Sequence, residues 1–401
     1  MTYGLDVAIF KRRKTAEYRF EHVGALRPPP GFDHLITVSV GPSGPAAIWA
    51  HGAARDDIEA NFEIPGFAIF PETRTSSSPE AALATYTTGS LTPAHAVVMK
   101  GLPVAHPLVQ ALPNGEFLVV GARCAWRPEG PERNALLVGV DGAVKREGTL
   151  GDGIEHMLVG LNGEIWVGYF DEGIFGNFGW GNPGPKPLGS PGIVRWSPEF
   201  EKVWEYDAVD DYWLADCYAM NVDADRVWAC PYVDFPIVEI DSDRATVRST
   251  SNVRGPRGLL ITGESVAIIG DYDFGGSLLL GSINGLSRLT ESEIGMPDGG
   301  PVPPGTFVCR GSVAHFFVGA DWFTFDLTKA LLAFGPQDGE PRRGHKLGES
   351  RAVVVGQRSR RPPPLCTLRS NFGRPVGVDS AYSARIHDIW SAGISTPMKE
   401  I

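Results

Sequence analysis

Met157-Leu-Val-Gly-Leu-Asn-Gly-Glu-Ile-Trp-Val-Gly-Tyr169 reads as a β-hairpin. An apolar run, Met157–Leu161, and a run rich in β-branched and aromatic residues, Ile165–Tyr169, flank Asn162-Gly163. Asn-Gly between two such runs supplies the positive φ angles that a tight hairpin turn requires. The phrase recurs. Leu35–Val40 and Ala46–Ala50 flank Pro42-Ser-Gly44, and Leu108–Leu112 and Phe117–Val120 flank Pro113-Asn-Gly115. Tyr218–Val222 and Val227–Cys230 flank Asp223-Ala-Asp225, and Leu259–Ile261 and Val266–Ile269 flank Thr262-Gly263. A last copy, Phe307–Cys309 and Ala314–Val318, surrounds Arg310-Gly311.

Most copies are followed by a second hairpin. Asn134–Val140 leads into Asp141-Gly142, Ile193–Trp196 into Lys202–Tyr206, and Pro236–Asp241 into Ala245–Arg248. Ser277–Gly281 and Trp322–Leu327 resemble the first strands of such hairpins. Each unit thus offers roughly four antiparallel strands, the content of one propeller blade. A β-sandwich also uses many short hairpins, but has no reason to repeat one four-strand phrase six times over. The expected fold is all-β, a six-bladed β-propeller of four-stranded antiparallel blades. The blades are placed at roughly 32–101, 102–149, 150–207, 208–250, 251–300 and 301–334. Tyr18–Val23 is the candidate strand that docks on the last blade and closes the ring. Residues 51–95 and 171–192 read as loop insertions. After Phe334 the hairpin pattern stops. Arg342-Arg343, Arg360-Arg361 and Pro362-Pro-Pro364 mark 335–401 as an extended or partly disordered, basic tail.

The bulk composition agrees with many short strands. The 401 residues include 49 glycines, 33 prolines and 10 tryptophans, with 43% hydrophobic and 21% charged residues. The net charge of −11 is uneven: 335–401 holds 11 Lys and Arg against 6 Asp and Glu, and the body 25 against 41. An acidic body is repelled by phosphate backbones and anionic lipid, so neither nucleic acid nor membrane is an expected partner. The basic tail reads as solvated, or as a means of recruiting an acidic partner. No apolar run approaches the roughly 18 residues of a membrane span. Lys11 to Lys14 follow a short apolar stretch with no secretory core after them, which makes a cytoplasmic protein the expectation. The five cysteines form no CxxC pair, so reduced thiols are expected rather than a zinc ribbon or a disulfide framework. There is no P-loop, dinucleotide fingerprint, HExxH or nucleophile elbow.

Hairpin topology predicts where polar side chains gather. The entry to a blade's first strand and the exit from its second lie at the same end. Residues at those places ring one mouth of the channel, and the tight glycine turns ring the other. At the entries stand His106, Glu155-His156, Asp216 and Arg257. At the exits a Tyr and an Asp recur: Tyr169 and Asp171, Tyr232 and Asp234, Tyr272 and Asp273. An Asp directly after a strand also caps turns without any ligand. The long segment 171–192, with Phe175, Phe178 and Trp180 among its glycines, lies at the same mouth, as a lid or pocket wall or as an Ω-loop sealing a gap.

Three functions are compatible with this pattern. A binding module would hold a small polar or cationic ligand, or a partner's loop, at an acidic mouth. Its walls would be Tyr169, Tyr232, Tyr272, Phe178 and Trp180, its charges Asp171, Asp234 and Asp273, with His106 and Arg257 beside them. A hydrolase or lyase, lactonase-like, would use Glu155, His156 and Asp216, either around a divalent metal or with His156 as a base oriented by Glu155 or Asp171. An interaction scaffold would recruit partners through its tail or aromatic loop. Whether the chain is an enzyme stays open at this level.

From about His34 to Leu327 the repeat pattern resembles the broad six-bladed propeller group that includes NHL-repeat, senescence-marker/gluconolactonase-like and strictosidine-synthase-like proteins. Gly168-Tyr-Phe-Asp-Glu-Gly-Ile-Phe-Gly-Asn-Phe-Gly-Trp-Gly181, with Gly192-Ile-Val-Arg-Trp196, resembles a phrase of uncharacterised bacterial propeller proteins. The resemblance implies an architecture. The lactonase-like metal ligands do not map onto this chain residue by residue.

Overall fold

The computed structural model describes residues 17–334 except 67, 88, 210–211, 225, 251–252, 271, 273–275 and 285–289. Of the two units into which the chain divides, Met1–Ala333 holds all of these but Phe334. The basic tail, 335–401, lies outside the described residues.

The hairpins assemble into antiparallel four-stranded meanders. The first sheet is His34–Gly41, Gly44–Ala50, Ala81–Thr85 and His95–Met99; the second is Pro107–Ala111, Phe117–Gly121, Ala135–Val138 and Val144–Gly148. The third is Ile154–Val159, Ile165–Tyr169, Ile193–Trp196 and Lys202–Glu205; the fourth is Asp216–Asp223, Arg226–Tyr232, Pro236–Asp241 and Arg244–Thr250. The fifth is Gly258–Thr262, Ser265–Ile269, Ser277–Ser282 and Thr290–Gly295. The sixth combines Thr306–Arg310, Val313–Val318 and Asp321–Asp326 with a strand from the other end of the chain, Glu21–Ala25, and a single parallel pair, Asn221 with Cys309, joins its first strand to that of the fourth. Glu21–Ala25 runs antiparallel to Asp321–Asp326, and Tyr18–Arg19 lies parallel beside Ile294-Gly295 of the fifth sheet. The first strands of successive sheets touch in turn, and that of the sixth returns to that of the first. Antiparallel meanders set around their own first strands are a β-propeller arrangement.

This arrangement explains why the strands read as unbroken apolar runs instead of alternating. Each sheet is packed on both faces by neighbours, so both side-chain sets of the period-two strand are buried. Ala46, Ile48 and Ala50 pack with Val109, Phe117 and Val119 of the second sheet. Ala47 and Trp49, from the same strand, pack in a cluster with Val308, Phe317 and Trp322 of the sixth. All of Phe117–Val120 is fully buried. At roughly 1.5–3 kcal/mol per large apolar side chain, these inter-sheet seams dominate the stability of the ring. The hairpin turns behave as their sequence requires: Gly163 sits at φ +84° and Asn162 Oδ1 accepts from the Glu164 N–H at 3.2 Å.

Two boundaries differ from expectation. Residues 51–95 are not one insertion. Ala81–Thr85 is the third strand of the first sheet, and the true excursion ends before it. That excursion carries the helix Arg55–Ile58 and a hairpin, Asn61–Ile64 with Ala68–Pro71. Likewise Asp321–Asp326 leads into the helix Leu327–Phe334 rather than a second hairpin.

Near the entry of three first strands, one extra residue is inserted into the ladder. Ile36, Glu155 and Tyr218 each stand unpaired between registered neighbours. Such bulges bend a strand and re-aim a side chain, and they concentrate where a sheet meets a functional surface.

Candidate functional site

Glu155 is the bulged residue of the third sheet's first strand, between Ile154, paired with Tyr169, and His156, paired with Gly168. Asp216 opens the first strand of the fourth sheet opposite Tyr232. Asp171 begins a short helix, Asp171–Phe175, directly after the third sheet's second strand. The third and fourth sheets approach closely here: a Cβ on Gly168 would stand 2.7 Å from Cys217 Sγ. Three carboxyl groups from separate segments are thereby gathered within electrostatic reach of one another.

Burial and mutual repulsion raise the pKa of all three. Burial lifts Glu155 to about 8, helped by the charge of Asp171. Burial lifts Asp216 to about 9, helped by Glu155 and then Asp171. Asp171 rises to about 6 through burial and the charge of Glu172, while the Glu172 N–H and Arg123 hold it back. Like charges that share a low-dielectric site cannot all ionise, so the cluster keeps protons at neutral pH and favours an incoming positive charge.

His156 plays a different part from the one expected. Burial pulls its pKa down to about 4, partly offset by hydrogen bonding to the backbone of Tyr218 and Cys217. Its Nε2 is buried without a hydrogen-bond partner among the described residues. The ring is a neutral group facing the fourth sheet, and its orienting neighbours are backbone rather than Glu155 or Asp171.

Several expected wall residues belong instead to the seams between sheets. Tyr169 is fully buried and its hydroxyl donates to the Leu150 carbonyl. Trp180 is buried too, its Nε1 donating to the Cys124 carbonyl at 2.8 Å and its ring meeting Trp126 edge to face. His106 is buried at φ +44°, with Nε2 2.7 Å from the Ala60 carbonyl. Phe178 lies beneath the Arg123 guanidinium, 4.3 Å from its ring centroid, and abuts Phe62 and Phe70 of the excursion hairpin edge to face. Arg123 in turn is clasped by Asp152, with two bonds of 2.9 Å, and by Glu172, which also accepts from Asn177 Nδ2. The long segment is therefore pinned near its start by a buried ion network and at its middle by Trp180. Its aromatics fill space because the surrounding glycines let the backbone close in: Gly179 approaches the Trp126 carbonyl too tightly for any side chain.

What does remain open on the segments that carry Asp171 and Asp216 is an aromatic pair. Phe175, four residues after Asp171, and Trp213, three before Asp216, meet edge to face and are each 53% exposed. Trp213 was not among the residues singled out from sequence. Its signal was available, an aromatic shortly before the polar entry of a first strand. The bulged Tyr218 was also missed. It joins the expected Tyr232 and Tyr272 and the buried Phe235 in one aromatic cluster, with Tyr272 Oη 3.4 Å from Tyr218 Oη. Asp234 is exposed at φ +66°, Arg257 lays its stem against Gly270, and Asp273 lies outside the described residues.

A divalent metal does not fit this cluster: among the described residues no three His, Cys, Asp or Glu side chains are grouped to hold one. A recess of about 360 Å³ opens elsewhere, on the turn side between the first and second sheets, lined by Tyr86, His95 and Val140 among others. Its polar groups do not include the carboxyls. Cys124, Cys217, Cys230 and Cys309 are buried and unpaired.

No family model matches the chain, and no curated protein matches it. Among solved structures it is similar to a gluconolactonase from Xanthomonas campestris, at 11% identity and TM-score 0.38, over 76% of this chain and 97% of that one. It is similar to the Neurospora crassa Pan2 WD40 domain at 11% identity and TM-score 0.40, over 76% and 94%. It is also similar to Kuenenia stuttgartiensis hydrazine synthase at 12% identity and TM-score 0.38, over 77% and 80%. No helix among the described residues is long and apolar enough to cross a membrane.

Proposed function

We propose that the chain is a six-bladed β-propeller whose mouth binds a small organic cation. The blades are the six meanders, and Glu21–Ala25 supplies the strand that closes the ring. The observation that carries the function is the joint placement of Glu155, Asp171 and Asp216 beside the exposed Phe175–Trp213 pair. Half-buried carboxyls that repel one another are relieved by a cation, and aromatic faces attract a cation that water solvates poorly. Arg123 offsets the cluster only in part, lowering Asp171 alone of the three, because Asp152 and Glu172 already engage it. The unpaired buried thiols accord with a reducing, cytoplasmic setting.

The test is calorimetric titration with tetramethylammonium and n-butylammonium between pH 6 and 9. Both the affinity and the number of protons released should change with pH. The cation selects the ionised cluster, so binding tightens as pH rises and releases protons to buffer. Asp216→Asn should weaken binding roughly tenfold or more. Absence of saturable binding at pH 9 would sink the reading.

A second reading rests on one further observation. The separation of Asp171, at about 6, from Asp216, at about 9, supplies a base and an acid side by side at neutral pH. Such a pair suits hydrolysis of a lactone or ester without a metal. Turnover of simple lactones that disappears in both Asp171→Asn and Asp216→Asn would favour this reading over pure binding.

A further inference from the structure

The opposite end of the ring holds a half-buried cation with no carboxylate partner among the described residues. Arg310 ends the first strand of the sixth sheet, where the tight glycine turns lie. Its Nε donates to the Val40 carbonyl at 2.6 Å, and Nη2 donates to the Val159 carbonyl at 2.8 Å and to Gln110 Oε1 at 3.2 Å. These acceptors belong to the first, third and second sheets, so one side chain ties four sheets together across the axis. All three are neutral. Burial alone acts on Arg310, drawing its pKa down to about 10, with no carboxylate opposing it. A half-buried guanidinium whose protein partners are all neutral has lost part of its hydration without gaining a countercharge, which favours an anion at its open edge.

A second donor stands beside it. Val308 pairs with His315 and Arg310 with Val313, so Arg310 and His315 share one face of the sixth sheet. That face carries Val308, Phe317 and Trp322, which cluster with Val38, Val40 and Trp49 of the first sheet. Trp322 Nε1 lies 3.2 Å from His315 Nδ1. An indole nitrogen only donates, so Nδ1 accepts and the neutral ring carries its hydrogen on Nε2. Burial and the Arg310 charge hold His315 neutral, at about 4, and Arg310 is the one charged group that acts on it. Neither His315 Nε2 nor Arg310 Nη1 finds an acceptor among the described residues, and neither atom is sealed from solvent.

We propose that Arg310 and His315 form a binding site for a small carboxylate at the turn-side end of the ring, between the sixth and first sheets. One negative charge balances one guanidinium, and two separate N–H donors match two carboxylate oxygens. A phosphate dianion would carry a second charge into a partly buried place where, among the described residues, Arg310 is the one charge that acts on His315. The site is independent of the acidic cluster, which lies where the first strands begin, whereas Arg310 lies where one ends.

The probe is acetate, added to the full-length, ¹⁵N-labelled chain at constant ionic strength, with the His315 imidazole followed by NMR. Acetate should move the Nε2 signal saturably and raise the His315 pKa by roughly one pH unit or more, as an anion within a few ångströms does. Arg310→Lys keeps the charge but loses the fork, and should weaken acetate roughly tenfold. If that variant does not fold, the wild-type comparison decides. A response equal to that of chloride, or none, overturns the site, and phosphate binding tighter than acetate overturns the assignment to carboxylates.

Discussion

Phe175 and Trp213 meet edge to face with ring centroids 6.2 Å apart, one on the helix that Asp171 begins, the other on the segment leading to Asp216. An exposed aromatic contact of this kind contributes little to folding, because most of both rings stays in water whether or not they touch. The two rings stand four residues after Asp171 and three before Asp216, both half-buried, and under the proposed function they are the faces that meet the cation.

Trp213→Ala should therefore change thermal stability by no more than about 0.5 kcal/mol, the ordinary range of a surface substitution. The same variant should lose most of the affinity for tetramethylammonium, and Trp213→Phe should retain a measurable part of it. Calorimetric titration beside a denaturant melt separates the two effects. A large loss of stability would instead make Trp213 part of the packing between sheets.

Asp216→Asn should flatten the dependence of stability on pH. The sign follows from proton binding. Glu155 and Asp216 have folded pKa values of about 8 and 9, above their values of 4.5 and 3.8 when unfolded. The folded state thus holds more protons, and stability falls as pH rises toward 9. Below 6.5 the depressed His156 and His315, each at about 4, act oppositely, since the unfolded chain binds more protons there. The clean window is therefore between about 6.5 and 9. Across it the melting temperature of the parent should drop, and that of Asp216→Asn should drop less and lie higher at pH 9. Parallel curves for the two proteins would mean that Asp216 ionises as it does in water.

Shortening 174–190 to a few glycines should visibly destabilise the ring. Closing a shorter loop changes the chain entropy by only about 0.6 kcal/mol per halving. The loss comes from Trp180, buried with its indole N–H bonded to the Cys124 carbonyl, and from Phe178 beneath Arg123. Trp180→Ala alone should cost about 3–5 kcal/mol in a urea melt, as large-to-small changes in a core do. An unchanged midpoint would return the segment to the status of a detachable lid.

The hairpins were legible because their causes are local. A Gly at positive φ between two β-rich runs needs no distant partner, and Asn162-Gly163 marks its turn wherever the blade ends up. The excursion within 51–80 was less legible. Its boundary with the third strand Ala81–Thr85 is set by pairing with Ala46–Ala50, not by any turn residue between them. Of the recurrent Tyr–Asp phrase, Tyr169 is sealed between sheets, while Asp171 acts electrostatically on Glu155 and Asp216 from other strands, a juxtaposition that no local pattern spells out.

Composition and spacing by themselves determined that this chain is all-β and repetitive, since strand alternation and turn chemistry are written into neighbouring residues. Only the tertiary structure decided which aromatics face water. Tyr169 and Trp213 are both large amphipathic side chains near the same mouth, yet one is sealed and the other exposed. Gly189 leaves the space beside the Tyr169 ring, and the Leu150 carbonyl accepts its hydroxyl, so burial leaves no polar atom unsatisfied. Trp213 meets Phe175 edge to face and stays 53% exposed. The difference lies in what a neighbouring sheet, distant in sequence, places against each ring, and no local pattern encodes that.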